Sequence, residues 1–165
     1  MRRLIAFGGA AGIAAALAAV ALGADNESGF ETSQASMLTP VAAGVQIQPI
    51  ITVGDTLNSG YRFEAIPDGI SLRTRGQGRV DLYVNHETSK VPFPYNRAAP
   101  TAANSENDFD NSQVSHLILN QHSGGVLNGS FAIGSGLGYQ RFCSNYLATE
   151  REGFSRPILF TNEET

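Results

Sequence analysis

The chain has one cysteine in 165 residues, so an internal disulfide is excluded. It has no run of basic residues after Arg2 and Arg3, which argues against nucleic acid and anionic membrane surfaces as partners. Several enzyme signatures are missing. No G-x-S-x-G elbow and no P-loop occur. Gly134, Gly136 and Gly138 miss the dinucleotide pattern because position 139 is Tyr. His86, His116 and His122 lack zinc-ligand spacing. No internal repeat is visible, and little of the sequence reads as helix.

The N-terminus is the most legible part. Arg2 and Arg3 precede an uncharged apolar stretch from Leu4 to Leu22, small residues follow at Ala21, Gly23 and Ala24, and the chain then turns polar at Asp25. Basic, apolar, small, polar is the order of a cleaved export signal, here residues 1–24. The alternative is an uncleaved anchor, which the Gly and Ala content disfavours; no stable membrane anchor is expected. The arginine pair also leaves a twin-arginine signal open. Removing residues 1–24 takes away two of the 11 basic residues and none of the 15 acidic ones, leaving a mature charge of −6. The mature protein is expected in the periplasm or outside the cell.

Residues 25–44 read as a flexible polar leader and 45–165 as one domain of β texture. Val45 to Val53 is β-branched and apolar, and Tyr61 to Ile66 alternates. Pro67-Asp68-Gly69 predicts a turn, with Ile70 to Arg73 resuming as a short strand. Arg79 to Glu87 is the clearest strand, with Val80, Leu82 and Val84 on one face and Asp81, Tyr83 and Asn85 on the other. Residues 88–111 read as a long surface loop, whose Glu106, Asp108 and Asp110 fit a calcium loop poorly. Val114 to Asn120 and Val126 to Ile133 predict a hairpin across Ser123-Gly124-Gly125. Ser144 to Glu152 predicts a short helix, and Arg156 to Asn162 a last strand. Short strands between turns predict an all-β architecture: a sandwich, a barrel or propeller blades.

Three groups of residues are candidates for chemistry. Asn85, His86 and Glu87 close the best strand, where they point either at a metal or phosphate or simply at water. Cys143 stands at the start of the expected helix, beside Arg141, where a thiolate would be favoured and could bind metal; a small buried hydrophobe is the other reading. Glu163 and Glu164 follow a strand and suit a hard cation, but strand alternation sends neighbours to opposite faces unless the chain bends.

The order of these segments is informative. Gly54-Asp55, Pro67-Asp68-Gly69, Leu82-Tyr83-Val84-Asn85-His86-Glu87, Arg141-Phe142-Cys143-Ser144 and Leu159-Phe160-Thr161-Asn162-Glu163-Glu164 follow one another. This succession resembles the N-terminal part of the PhoX-type alkaline phosphatases, over roughly Val53 to Thr165. The resemblance implies an exported β-propeller that hydrolyses small phosphate esters at iron and calcium ions. It implies that Cys143 ligates iron, that Glu163 and Glu164 are metal ligands, and that Asn85, His86 and Glu87 support the site. A propeller needs several four-stranded blades, so the chain is expected to be a partial propeller with its catalytic residues beyond Thr165. The alternative is a non-catalytic extracellular β-domain, a binding or surface module on the same fold.

Overall fold

The structure, a computed structural model, describes residues 28–88 and 111–164. The expected export signal and the acidic triplet at 106, 108 and 110 lie outside the described residues. Among the described residues no helix is long and apolar enough to cross a membrane.

Six strands form two antiparallel sheets, and the only helical pieces among the described residues are two short 3-10 turns. The larger sheet holds β1 (Ile66–Gly76), β2 (Arg79–Glu87), β3 (Gln113–Asn120) and β4 (Val126–Ile133) in that spatial order. The smaller pairs β5 (Phe142–Ala148) with β6 (Ile158–Glu163). No closed barrel or propeller is formed among the described residues.

Two expectations need correction. Pro67-Asp68-Gly69 is no turn: it lies inside β1, where Asp68 and Gly69 together oppose the single residue Asn85. Proline, aspartate and glycine suit a bulge for the reasons they suit a turn, and pairing with β2 selects the bulge. Residues 144–148 are not helical either. They belong to β5, and only Glu150–Glu152 winds into a 3-10 turn, capped by Thr149 and Glu152. Cross-strand bonds to β6 satisfy this backbone, where an isolated helix as short as Ser144 to Glu152 would leave most of its end groups unpaired.

The apolar core lies on one face of the larger sheet. Val84, Leu117, Leu119 and Val126 meet Leu57, Tyr61 and Phe63 from the preceding segment. That segment is a small hairpin held by bonds from the Leu57 amide to the Tyr61 carbonyl (2.8 Å) and from the Phe63 amide to the Asp55 carbonyl (2.9 Å). Alternation along it buries Tyr61, Phe63 and Ala65 and leaves Arg62 and Glu64 at the rim. Full burial of each large apolar side chain contributes about 2 kcal/mol. The Tyr61 ring lies across Gly129 on β4, where a Cβ would sit 2.6 Å from the ring's Cγ. Glycine is therefore needed at 129 for packing.

Val45 to Val53 forms no strand; Ile50, Ile51 and Val53 pack on the rim of the core instead. Pro49 offers no amide to a ladder, which favours an irregular path. The stretch read as a flexible leader is tied at its start: Phe30 bridges Val126 with two backbone bonds of 2.8 Å.

Candidate metal centre

The second face of the larger sheet carries polar side chains and is covered at one end by the β5–β6 pair. Asn85 is fully buried there. Its amide nitrogen donates to the Ser144 carbonyl (3.0 Å) and to Thr161 Oγ1 (2.9 Å), and its oxygen accepts from Asn145 Nδ2 (2.9 Å). Asn145 also donates to the Gly69 carbonyl (2.8 Å) and is bonded to Ser71. The sheets are thus joined by polar groups that are nearly all satisfied, which fixes their relative position more sharply than apolar contact would.

Gly69 sets how closely they approach. A Cβ at this position would meet the Cys143 carbonyl oxygen at 2.6 Å and the Asn145 nitrogen at 2.8 Å. Glu87, at the end of β2, pairs by an isolated bridge with Arg141, two residues before Cys143. These two constraints bring Glu87, Asp68 and Cys143 together, with their ligand atoms all within 4.8 Å of one another. The Cys143 thiol donates to Glu87 Oε1 and has the Glu164 carboxylate beside it. Arg141 reaches Glu87 Oε2 at 3.2 Å and Glu164 Oε2 at 3.8 Å.

The electrostatics differ from the expectation of an activated thiolate. Cys143 lies on a strand, with no helix N-terminus to favour its anion. Desolvation, followed by the carboxylates of Glu87 and Glu164, pushes its thiol well above the usual range. At pH 8 Cys143 is expected to react with iodoacetamide at least about tenfold more slowly than an unperturbed thiol. Glu87→Gln should speed the reaction, and a wild-type rate equal to that of free cysteine would disprove this assignment.

The candidate residues separate as follows. Glu87 and Cys143 are brought together, with Glu164 at their edge. Glu163 turns the other way and accepts from the Gln140 amide at 2.7 Å; strand alternation divides the acidic pair. Asn85 lies beside the cluster and holds the sheets together. His86 faces the apolar core on the opposite side of β2. Its Nδ1 meets the Glu64 carbonyl at 2.7 Å and its Nε2 meets Ser115 Oγ at 2.7 Å. This strand end is buried, so the reading in which all three residues face water fails.

A carbonyl only accepts, so His86 carries its proton on Nδ1. Burial lowers its pKa to about 4 and keeps the ring neutral. Nε2 then accepts from Ser115, whose oxygen accepts in turn from Tyr61 at 2.5 Å. Burial raises Tyr61 to about 12. Ser115 has 0 % exposure, so the chain Tyr61–Ser115–His86 is closed to substrate and is a structural relay.

Asp68 and Arg141 are the cluster members that sequence reasoning did not single out. In the sequence Asp68 carries only a turn signal, within Pro67-Asp68-Gly69. An open cleft of about 610 Å³ lies elsewhere, between Phe30, Glu31, Leu57 and Val126, and none of the candidate residues lines it.

The donor set fits a cation. Asp68, Glu87 and Glu164 supply three carboxylates against one guanidinium, leaving two negative charges to be balanced while the thiol is protonated. Thiolate suits iron, and carboxylate suits calcium or iron. No family model matches this chain, and no curated protein or solved structure matches it.

Proposed function

We propose that the chain is the N-terminal part of an exported, metal-dependent phosphatase acting on small phosphate esters, with Cys143, Glu87, Glu164 and Asp68 forming part of its metal centre. The observation that carries this reading is the convergence of a thiol and three carboxylates from β1, β2, β5 and the end of β6. Their order along the chain supports it, as does the β1–β4 meander, which has the form of one propeller blade. Iron and calcium are the proposed ions, and bound there they would polarise a phosphoryl oxygen. The chain's own residues do the holding: Asn85 and Gly69 set the distance between sheets, and Arg141 orients Glu87 and Glu164. Glu163 is assigned no ligand role on this geometry.

A second reading is favoured by Arg141, which already neutralises part of the cluster. On that reading the protein is a non-catalytic extracellular β-domain.

Titration of the exported chain with ferrous iron and with calcium tests the first reading. Saturable binding is expected, with proton release because the thiol must ionise to ligate iron. Cys143→Ala and Glu87→Gln should each weaken iron binding about tenfold or more. No binding in the wild type would overturn the proposal. Binding without phosphomonoester turnover in the full-length gene product would favour the second reading.

A further inference from the structure

At the far end of the same β2 face lies a cluster that the metal centre does not use. Asp81 is six residues from Glu87, about 20 Å along the strand, and its side chain is 1 % exposed. It binds Arg73 Nε at 3.1 Å, Arg75 Nη1 at 2.8 Å and His116 Nε2 at 2.8 Å. Those contacts hold its carboxyl below the usual range against the opposing effect of burial. The His116 ring stacks on Tyr83 at 4.8 Å and 11°.

We propose that Arg73 and Arg75, held with His116 on the buried Asp81, form a binding site for a phosphate or sulfate group. The two guanidiniums outnumber the carboxylate between them, so a positive charge remains even with His116 neutral. Both arginine side chains stay open to water, at 39 % and 46 % exposure, while their common anchor is buried. The bonds between the sheets lie at Gly69, Ser71 and Asn85; Ser71, the register partner of Tyr83, is the nearest of them to Arg73 and Arg75. A buried carboxylate that anchors two guanidiniums by one edge leaves their remaining N–H groups directed outward, the arrangement that recognises a tetrahedral oxyanion. Arg73 is the register partner of Asp81, and Arg75, two residues on, shares its face of β1, so both reach the same carboxylate. The surrounding chain is acidic, with a net charge of −4. Anion binding here would therefore be local, since overall charge opposes it.

The site does not depend on the metal centre, and its test needs no added metal. Inorganic phosphate is titrated into the full chain while the Nε–Hε resonances of the arginines are followed. Saturable shifts are expected at Arg73 and Arg75, with Arg151 unmoved. Arg75→Gln should weaken binding at least about tenfold. Arg75→Lys keeps the charge and the Asp81 pair but loses the fork, and should fall between the two. Arg151→Gln should bind as wild type, and a thermal melt of each variant identifies any that fails to fold. Sedimentation with anionic phospholipid vesicles, competed by phosphate, identifies a lipid headgroup as the source; phosphate binding without sedimentation identifies a soluble ester. Unsaturable shifts, equal shifts at Arg151, or unchanged affinity in a folded Arg75→Gln variant would overturn the proposal.

Discussion

Between pH 7 and about pH 5 the protein is expected to lose about 2 kcal/mol of folding stability through His86 alone. The unfolded chain binds a proton to this residue near pH 6.5, whereas in the fold its pKa falls to about 4. The folded pKa of this base is depressed, so the unfolded state holds more protons between those values. Stability is complete above pH 6.5 and falls as the pH drops toward 4, by about 3 kcal/mol in all. The cause is positional. Phe63 lies edge-on to the ring at 4.8 Å, Ser115 occupies Nε2, and the Glu64 carbonyl occupies Nδ1. Protonation would place a second donor against Ser115 and turn the Tyr61 relay around. Tyr61, at about 12, stays neutral throughout. Asp81 contributes on a separate limb: its lowered pKa adds stability that is lost only in more acid solution, below its ordinary 3.8.

Urea unfolding at the two pH values measures the effect. His86→Gln should be less stable at pH 7, because it loses part of the relay, but its midpoint should change little between pH 7 and pH 5. A wild-type midpoint that is the same at both would show that His86 is not buried as a neutral base.

His86 also shows what could be read in advance and what could not. Alternation along Arg79 to Glu87 was plain, and β2 has those limits; β4 likewise runs from Val126 to Ile133 as its pattern implied. The same alternation places His86 on the face opposite Asn85 and Glu87, so the three consecutive residues do not act as one motif. Periodicity reports which residues share a face. It does not report what covers that face. Both faces of β2 are covered, one by the Tyr61 hairpin and the other in part by β5–β6, so polar residues at its end are buried on either side. The second covering depends on Asn85, Asn145 and Ser71, which are far apart in sequence and individually ordinary. The same non-local pairing made β5 a strand where local pattern pointed to helix. It also put Cys143 among carboxylates, reversing the expected direction of its pKa. Of the proposed centre, Cys143, Glu87 and Glu164 were legible as ligand types. Asp68 emerged only when the Pro67-Asp68-Gly69 signal resolved into a bulge that sets it beside β5.

That bulge carries the second large effect: Gly69→Ala is expected to destabilise the fold by about 3 kcal/mol. Gly69 does not occupy the left-handed region, so alanine meets no backbone strain there and the cost is steric alone. The new methyl would meet the Cys143 carbonyl oxygen at 2.6 Å, the Asn145 nitrogen at 2.8 Å and the Ser144 Cα at 3.0 Å. All three are backbone atoms, so no rotamer change relieves the clash, and one sheet must move. Movement lengthens the Asn145–Gly69 bond and the Asn85 bonds to Ser144 and Thr161, which hold the two sheets together. It also draws Cys143 away from Asp68 and Glu87. Gly134→Ala is the matched control: its φ is −94°, and no atom lies within 4 Å of the added methyl. It should change stability by less than about 0.5 kcal/mol. Urea midpoints of the two variants, with the alkylation rate of Cys143 in each, separate the possibilities. A loss confined to Gly69→Ala, with faster alkylation as the thiol leaves its carboxylates, means that the close approach of β1 and β5 assembles the cluster. Equal midpoints would mean that the sheets are not packed at this distance. A destabilised Gly69→Ala that still binds iron as wild type would show that iron is not held jointly by Cys143 and the Asp68 and Glu87 carboxylates, and would overturn the proposed centre.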